Sequence, residues 1–328
     1  MEKNFLFISD AFERDKDRKL STINSFNNNL CNTSYGFFIL SLKCIGNIEI
    51  AMGLEDGNKK LNKNYDMIFL DIKSLTYNDL PSLFLNFCDN IQNQQVCLLV
   101  NTDKLFSDLL DLNKILIPNL KLIYVVNLIK DYDRYCLSNN LRDKLRLTYY
   151  GLGTLDIRYD FNVHEFSQPE RINYESNNDI FFSGNYGDSS IRKLVCEFIL
   201  KEFPEKRKKI IINQHLTKQE YINNILSSKI NLALSGNFNN LTYRHNELLF
   251  LNSFFLSDYT FSEFKISENF SNLDSFCFKT TADLKDLVYY YLNYDDEREK
   301  VSKDLNIIFK NFYSPKKFSE SIYKDLFA

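Results

Sequence analysis

Arg244 and Glu247 stand three residues apart at the head of an otherwise apolar stretch, LTYRHNELLFLNSFFLSDY, running from Leu241 to Tyr259. In a helix that spacing puts a cation and a carboxylate on one face, at an end whose free backbone N–H groups carry positive potential. A pyrophosphate fits such an end, with Arg244 as a further cation and Glu247 as acceptor for sugar hydroxyls. The competing reading is an amphipathic surface helix in which the two side chains form a weak ion pair. Two Ser-Gly turns bear on the choice. Ser183, Gly184 and Asn185 close the strand DIFFSGN, and Ser235–Gly236 close KINLALSG. A plain turn explains either one alone, but glycine also lets a backbone approach a ligand closely. Both turns and the Arg–Glu helix are expected to converge on one edge of a sheet.

Other candidates are weaker. Asp131 and Asp133 in KDYDRY have the DxD spacing that can hold a divalent cation, yet a helix cap for DRYCLSNNL is the simpler account. His164, His215 and His245 lie apart at no metal-ligand spacing, and each reads as a surface or structural residue. The seven cysteines (Cys31, Cys44, Cys88, Cys97, Cys136, Cys196 and Cys277) form no CxxC pair and read as reduced core residues. No metal is expected. The chain lacks GxGxxG after its first strand and lacks GxxxxGK[ST], which disfavours dinucleotide oxidoreductases and P-loop enzymes.

The elements that must position these residues alternate. Apolar runs at 4–10, 65–71, 95–103, 120–127 and 144–151 are separated by stretches with helical spacing, which predicts a parallel, doubly wound sheet. Asp10, Asp71, Asp103 and Asn127 close four of these runs, where ligands of such sheets sit. Residues 151–179 break the alternation with Gly, Pro, Asn and Ser and read as a linker. A second series follows at 179–185, 208–214, 229–236, 253–259 and 276–279, with helices between. Thr280 and Thr281 are cap candidates for the next helix, and Pro315 marks a break in the charged helical tail. The 328 residues exceed the usual limit for one core, so two domains meeting at a cleft are expected. The boundaries read as 1–163, 164–310 and a final helix at 311–328.

Composition narrows the partners. A net charge of −3 gives no basic footprint for nucleic acid, and no apolar run reaches the ~18 residues of a membrane span. The start MEKNFLFISD is too soon interrupted for a signal peptide, so a cytoplasmic protein is expected. The cationic run EFPEKRKK at 202–209 reads as the solvated end of a helix, with contact to anionic lipid at the inner membrane surface as the alternative.

The order of elements in 179–315 resembles the nucleotide-sugar half of two-domain (GT-B) glycosyltransferases, in particular the bacterial group-1 and spore-maturation-type families. The residues that carry the likeness are FFSGN with Arg192 downstream, Arg244 with Glu247, and FKTTADLKDLVYYYLNYDDEREKV. The first half is similar only in architecture. The resemblance implies two Rossmann-like domains, a C-terminal helix crossing back to the first, and transfer from a nucleotide-diphosphate-sugar to a glycan, lipid-linked or protein acceptor. It implies that Glu247 holds the donor ribose and Arg244 the diphosphate. Ser183, Gly184, Asn185, Ser235, Gly236, Thr242 and Tyr243 complete the expected donor-side set. Two departures stand out: Asn239 replaces a second Glu of retaining members, and Asn252 replaces the usual Gly after the Glu-bearing helix. An inverting enzyme needs a general base from the first domain, and Asp10 at the end of the first strand is the candidate. The leaving diphosphate needs positive charge, which Arg244 and backbone N–H groups can supply without a metal or other cofactor. A non-catalytic nucleotide-sugar-binding protein and a nucleotide-sugar epimerase are the alternatives.

Overall fold

A computed structural model describes residues 2–9, 36–71, 80–91, 93–100, 117–126, 139–148, 178–184, 190–204, 210–213, 216–236, 242–258, 271–313 and 315–328. The chain divides into two compact units, one of Met1–Gly151 with Pro315–Ala328, the other of Leu152–Ser314.

The first unit holds a six-stranded parallel sheet. Its strands are β1 (Lys3–Ser9), β2 (Gly46–Met52), β3 (Met67–Asp71), β4 (Val96–Val100), β5 (Leu120–Val126) and β6 (Leu145–Thr148), in the order β2-β1-β3-β4-β5-β6. β3 and β4 are buried along their whole length, as unbroken apolar runs covered on both faces must be. β2 was not among the expected strands. It is the edge strand and mostly half-exposed, so GNIEIAM carries neither a continuous apolar run nor a clean alternation. Helices α1 (Gly36–Lys43), α2 (Gly53–Lys60), α3 (Leu80–Ile91) and α4 (Asn139–Arg142) accompany the sheet.

In the second unit β7 (Asn178–Ser183), β8 (Ile210–Asn213), β9 (Ser228–Ala233), β10 (Phe255–Asp258) and β11 (Cys277–Phe278) pair in the order β11-β10-β9-β7-β8, all parallel. The helices are α5 (Ser190–Glu202), α6 (Lys218–Leu226), α7 (Tyr243–Phe250), α8 (Thr281–Asn293) and α9 (Asp295–Tyr313). Thr280 caps α8, its hydroxyl accepting from the Asp283 N–H at 3.1 Å while Asp283 accepts from the Thr280 N–H at 2.9 Å. Thr281 is the first residue of that helix, inside the cap.

Both sheets start in the middle and grow to both sides. The order therefore reverses beside β1 in the first unit and between β7 and β9 in the second. Neighbouring connections leave in opposite directions there, so a crevice opens at the carboxyl ends of those strands.

The final helix, α10 (Pro315–Phe327), belongs to the first unit. Pro315 opens it, where a missing N–H costs nothing. Phe318, Ile322 and Leu326 are buried, Phe318 lies edge-on to Phe38 of α1, and the Lys3 ammonium sits 4.4 Å from the Phe327 ring. Lys121 donates to the Leu326 carbonyl, and Arg146 meets Asp325 at 3.4 Å.

Candidate active site

The crevice between β7 and β9 is built from short-range chemistry. Thr217 and Glu220 form a capping box at the start of α6: the Thr217 N–H donates to Glu220 Oε2 at 2.8 Å, and the Glu220 N–H to Thr217 Oγ1 at 3.4 Å. That box fixes the first turn, on which Tyr221 sits with its own N–H bonded to the Thr217 carbonyl. The Tyr221 ring packs against Phe181 of β7, centroids 5.9 Å apart, and its hydroxyl points to α7.

There the Tyr221 hydroxyl donates to Glu247 Oε2 at 2.5 Å and accepts from Arg244 Nε at 3.3 Å. Tyr221 thus joins the cation and the carboxylate at the head of α7. Burial, offset by the Arg244 charge, raises the Tyr221 pKa far above that of a free phenol, so the group remains a neutral donor. The Arg244 guanidinium lies over the Phe182 ring, 4.6 Å from its centroid. Gly184 makes room for it, because a Cβ at that position would stand 2.9 Å from Arg244 Nη2. The Ser-Gly turn and the Arg–Glu helix are therefore in direct contact.

The second turn is tied in from another side. Arg192 of α5 donates to the Ser235 carbonyl at 2.8 Å. The Ser235 hydroxyl and N–H both donate to Asp258 Oδ2 at the end of β10. Burial raises the Asp258 pKa, while the Ser235 bonds oppose the rise. Ser183 is buried at the end of β7, and Gly236 is half-buried after Ser235.

Thr242 is the N-cap residue of α7, and His245 takes the place a Glu usually has in a capping box. Its Nδ1 accepts from the Thr242 N–H at 3.1 Å, and its Nε2 lies 3.1 Å from Ser257 Oγ. Complete burial, aided by the Arg244 charge, lowers its pKa to about 3, so it is a neutral structural group. The surface-helix reading of this segment is thereby corrected. Residues His245 to Leu251 are all buried, Glu247 at 2% exposure, because α7 packs against the sheet on one side and α9 on the other.

The far end of α7 accounts for one departure from the family pattern. Asn252 has φ of 52°, its N–H bonds the Leu249 carbonyl, and the Ser253 N–H bonds the Leu248 carbonyl. This is a Schellman stop, in which asparagine adopts the left-handed turn that glycine usually supplies. Ser302 and Asn306 of α9 then bond the Asn252 and Leu249 carbonyls.

Tyr243 lies in the first turn of α7. Asp10, Asp103, Asn127, Asp131, Asp133, His164, His215, Asn185, Asn239 and most of the 202–209 run fall outside the described residues. Of the strand-end carboxylates in the first unit, Asp71 is described: it is fully buried and accepts from Ser9 Oγ at 2.7 Å. Tyr221 and Asp258 are the site residues that sequence reasoning missed. The TKQE box marks the first turn of α6, but nothing in it tells which way the following tyrosine points.

Among the described residues no group of three or more His, Cys, Asp and Glu side chains is placed to hold a metal ion, and no helix is long and apolar enough to cross a membrane. Cys97, Cys196 and Cys277 are buried, while Cys44 and Cys88 are only half-buried.

Comparison with known proteins bears on the second half of the chain by sequence and on the whole chain by structure. Residues 185–316 match the family model described as glycosyl transferase-like. No curated protein matches in sequence. Among solved structures, T4 phage β-glucosyltransferase in complex with UDP-glucose superposes with a TM-score of 0.55 at 13% identity, over 100% of both chains. HepE from Anabaena, in complex with UDP and glucose, gives 0.58 at 9% identity over 99% of each chain. An α-glucosyltransferase in complex with UDP-glucose and DNA gives 0.53 at 11% identity, over 99% of this chain and 100% of that one. The chain has the GT-B fold of glycosyltransferases, and the residues that match the glycosyl transferase-like model include Arg192, Tyr221, Ser235, Arg244, Glu247 and Asp258 of the crevice.

Proposed function

We propose that the protein is a glycosyltransferase that moves a sugar from a nucleoside-diphosphate donor to an acceptor hydroxyl of a glycan, lipid-linked or protein acceptor, without a metal. The observation that carries this reading is the Arg244 guanidinium, held over Phe182 and against Gly184 at the reversal point of the second sheet and coupled through Tyr221 to Glu247. Arg244 and the N–H groups of the Ser183–Gly184 turn and the α7 start would receive the diphosphate. Glu247 would hold the ribose hydroxyls, with Tyr221 fixing one carboxylate oxygen. Ser235, Gly236, Thr242, Tyr243 and Asn185 would line the same crevice.

In the first unit, position 10 directly follows β1, the strand beside which that sheet reverses. Asp10 is therefore the general base of this proposal, with the Ser9–Asp71 pair bracing the strand ends next to it. Two of the similar structures are of a DNA-modifying β-glucosyltransferase and of an α-glucosyltransferase in complex with DNA. The net charge of −3 here favours a glycan or lipid-linked acceptor instead.

The test is calorimetry with UDP, GDP, CDP and ADP and their sugars, followed by release of free nucleotide from the bound donor. One nucleotide should bind to the wild type and lose affinity in Arg244→Ala and Glu247→Ala. Unchanged binding in both variants would remove the donor site from this crevice. Full transfer activity in Asp10→Asn would remove the base.

A further inference from the structure

The described residues contain a cavity of about 750 Å³ that has no part in the donor crevice. It lies within the second unit, between α8, α9 and the chain just before β11. Residues 271–275 immediately precede β11, and α8 runs back from that strand's carboxyl end. The cavity therefore sits at the amino ends of the strands, whereas Gly184 and Ser235 mark the carboxyl ends.

Its walls combine two kinds of surface. Leu287, Tyr290, Tyr291 and Val301 give apolar faces, and Ile307 stands 49% exposed at the edge. Tyr290 is 43% exposed although it packs edge-on against buried Tyr291, with centroids 5.1 Å apart. It also meets Tyr294, with centroids 4.6 Å apart and an interplanar angle of 33°. The ring is thus braced by two neighbours and still open to solvent, as a stacking platform must be. Beside it stand Asn272, Glu297, Lys300 and Asp304. Glu297, Lys300 and Asp304 make no hydrogen bond or ion pair among the described residues, so acceptors and donors face the cavity unspent.

A planar ring flanked by a side-chain amide, carboxylates and an ammonium suits a ligand with an apolar face and a hydroxylated edge. The volume falls inside the ~300–1,000 Å³ range of small-molecule sites. Two carboxylates against one ammonium disfavour a phosphate, and Lys300 in the same wall disfavours a cation. We infer that this cavity is a second, non-catalytic carbohydrate site that binds a neutral oligosaccharide away from the donor crevice. It extends the proposed function by giving the protein a hold on a glycan chain apart from the reacting end, and it stands on its own residues.

The experiment titrates the full chain with maltotriose, cellotriose and N-acetylchitotriose by calorimetry, alongside UDP. At least one trisaccharide should bind, and Tyr290→Ala should weaken it about tenfold or more, as loss of a tyrosine anchor does. Asn272→Ala should weaken it less, and both variants should keep wild-type UDP affinity, which also shows that they are folded. Arg244→Ala should lose UDP and keep the trisaccharide, so the two sites fail separately. The inference is overturned if none of the three sugars binds, if Tyr290→Ala leaves binding unchanged, or if Arg244→Ala rather than Tyr290→Ala abolishes it. Saturable binding of spermidine at Tyr290 with no sugar binding would also overturn it and mark a cation site.

Discussion

Replacing Tyr221 by Phe removes one oxygen from the point where Arg244 and Glu247 meet. That oxygen gives a 2.5 Å bond to Glu247 Oε2 and accepts from Arg244 Nε at 3.3 Å. Tyr221 is 7% exposed and Glu247 2%, so little water is available to replace either bond. A hydrogen bond to a charged group contributes about 1.5–3 kcal/mol, and here the carboxylate stays buried after its donor has gone. Tyr221→Phe should therefore lower unfolding stability by about 1–3 kcal/mol. The ring still packs on Phe181, so the fold persists. Glu247 and Arg244, no longer held to a common point, should bind UDP about tenfold more weakly, the equivalent of about 1.4 kcal/mol. Calorimetry with UDP and denaturant unfolding read the two effects, and a double-mutant cycle with Glu247→Gln should return a coupling energy of about 1 kcal/mol or more. Loss of stability with UDP affinity within about twofold of wild type would show that Tyr221 is a packing residue alone. Coupling near zero would refute the hydrogen bond itself.

Three further outcomes follow from the same geometry. Gly184→Ala puts a methyl group 2.9 Å from Arg244 Nη2 and must displace the guanidinium from Phe182; UDP affinity should fall several-fold while the melting temperature changes little. His245 stays neutral in the native state down to about pH 3, whereas in the unfolded chain it protonates near its ordinary value of 6.5. The unfolded state thus binds the extra proton between those values, so stability should fall as pH drops through 6.5 toward 3, by up to about 1.4 kcal/mol per pH unit from this group. His245→Gln should flatten that part of the curve in denaturant unfolding from pH 4 to 7, and an unchanged slope would refute the assignment. Ile322→Ala hollows the contact of α10 with the first unit and should cost about 2–5 kcal/mol, read as earlier unfolding with UDP binding intact below the transition.

Much of the fold was legible because parallel strands buried on both faces write themselves as unbroken apolar runs. IFFS and NLAL announced β7 and β9, and their Ser-Gly endings announced the turns that meet Arg244 and Asp258. β2 escaped because an edge strand buries too little of itself to impose either pattern. The sequence by itself also determined that Arg244 and Glu247 share a helix start, since a spacing of three residues requires it. What joins them was decided by tertiary structure alone. Tyr221 reaches them from 23 residues before Arg244, because the capping box on α6 and the β7–β9 pairing bring its hydroxyl to α7. Asn252 likewise looked like a departure until its left-handed φ showed it standing in for glycine. His245, one residue from Arg244, turned out to be the buried cap of the helix rather than part of its surface. A chain lists which groups exist and which lie one helical turn apart. Which of them meet across a sheet, and which lose their water, depends on packing that no local spacing records.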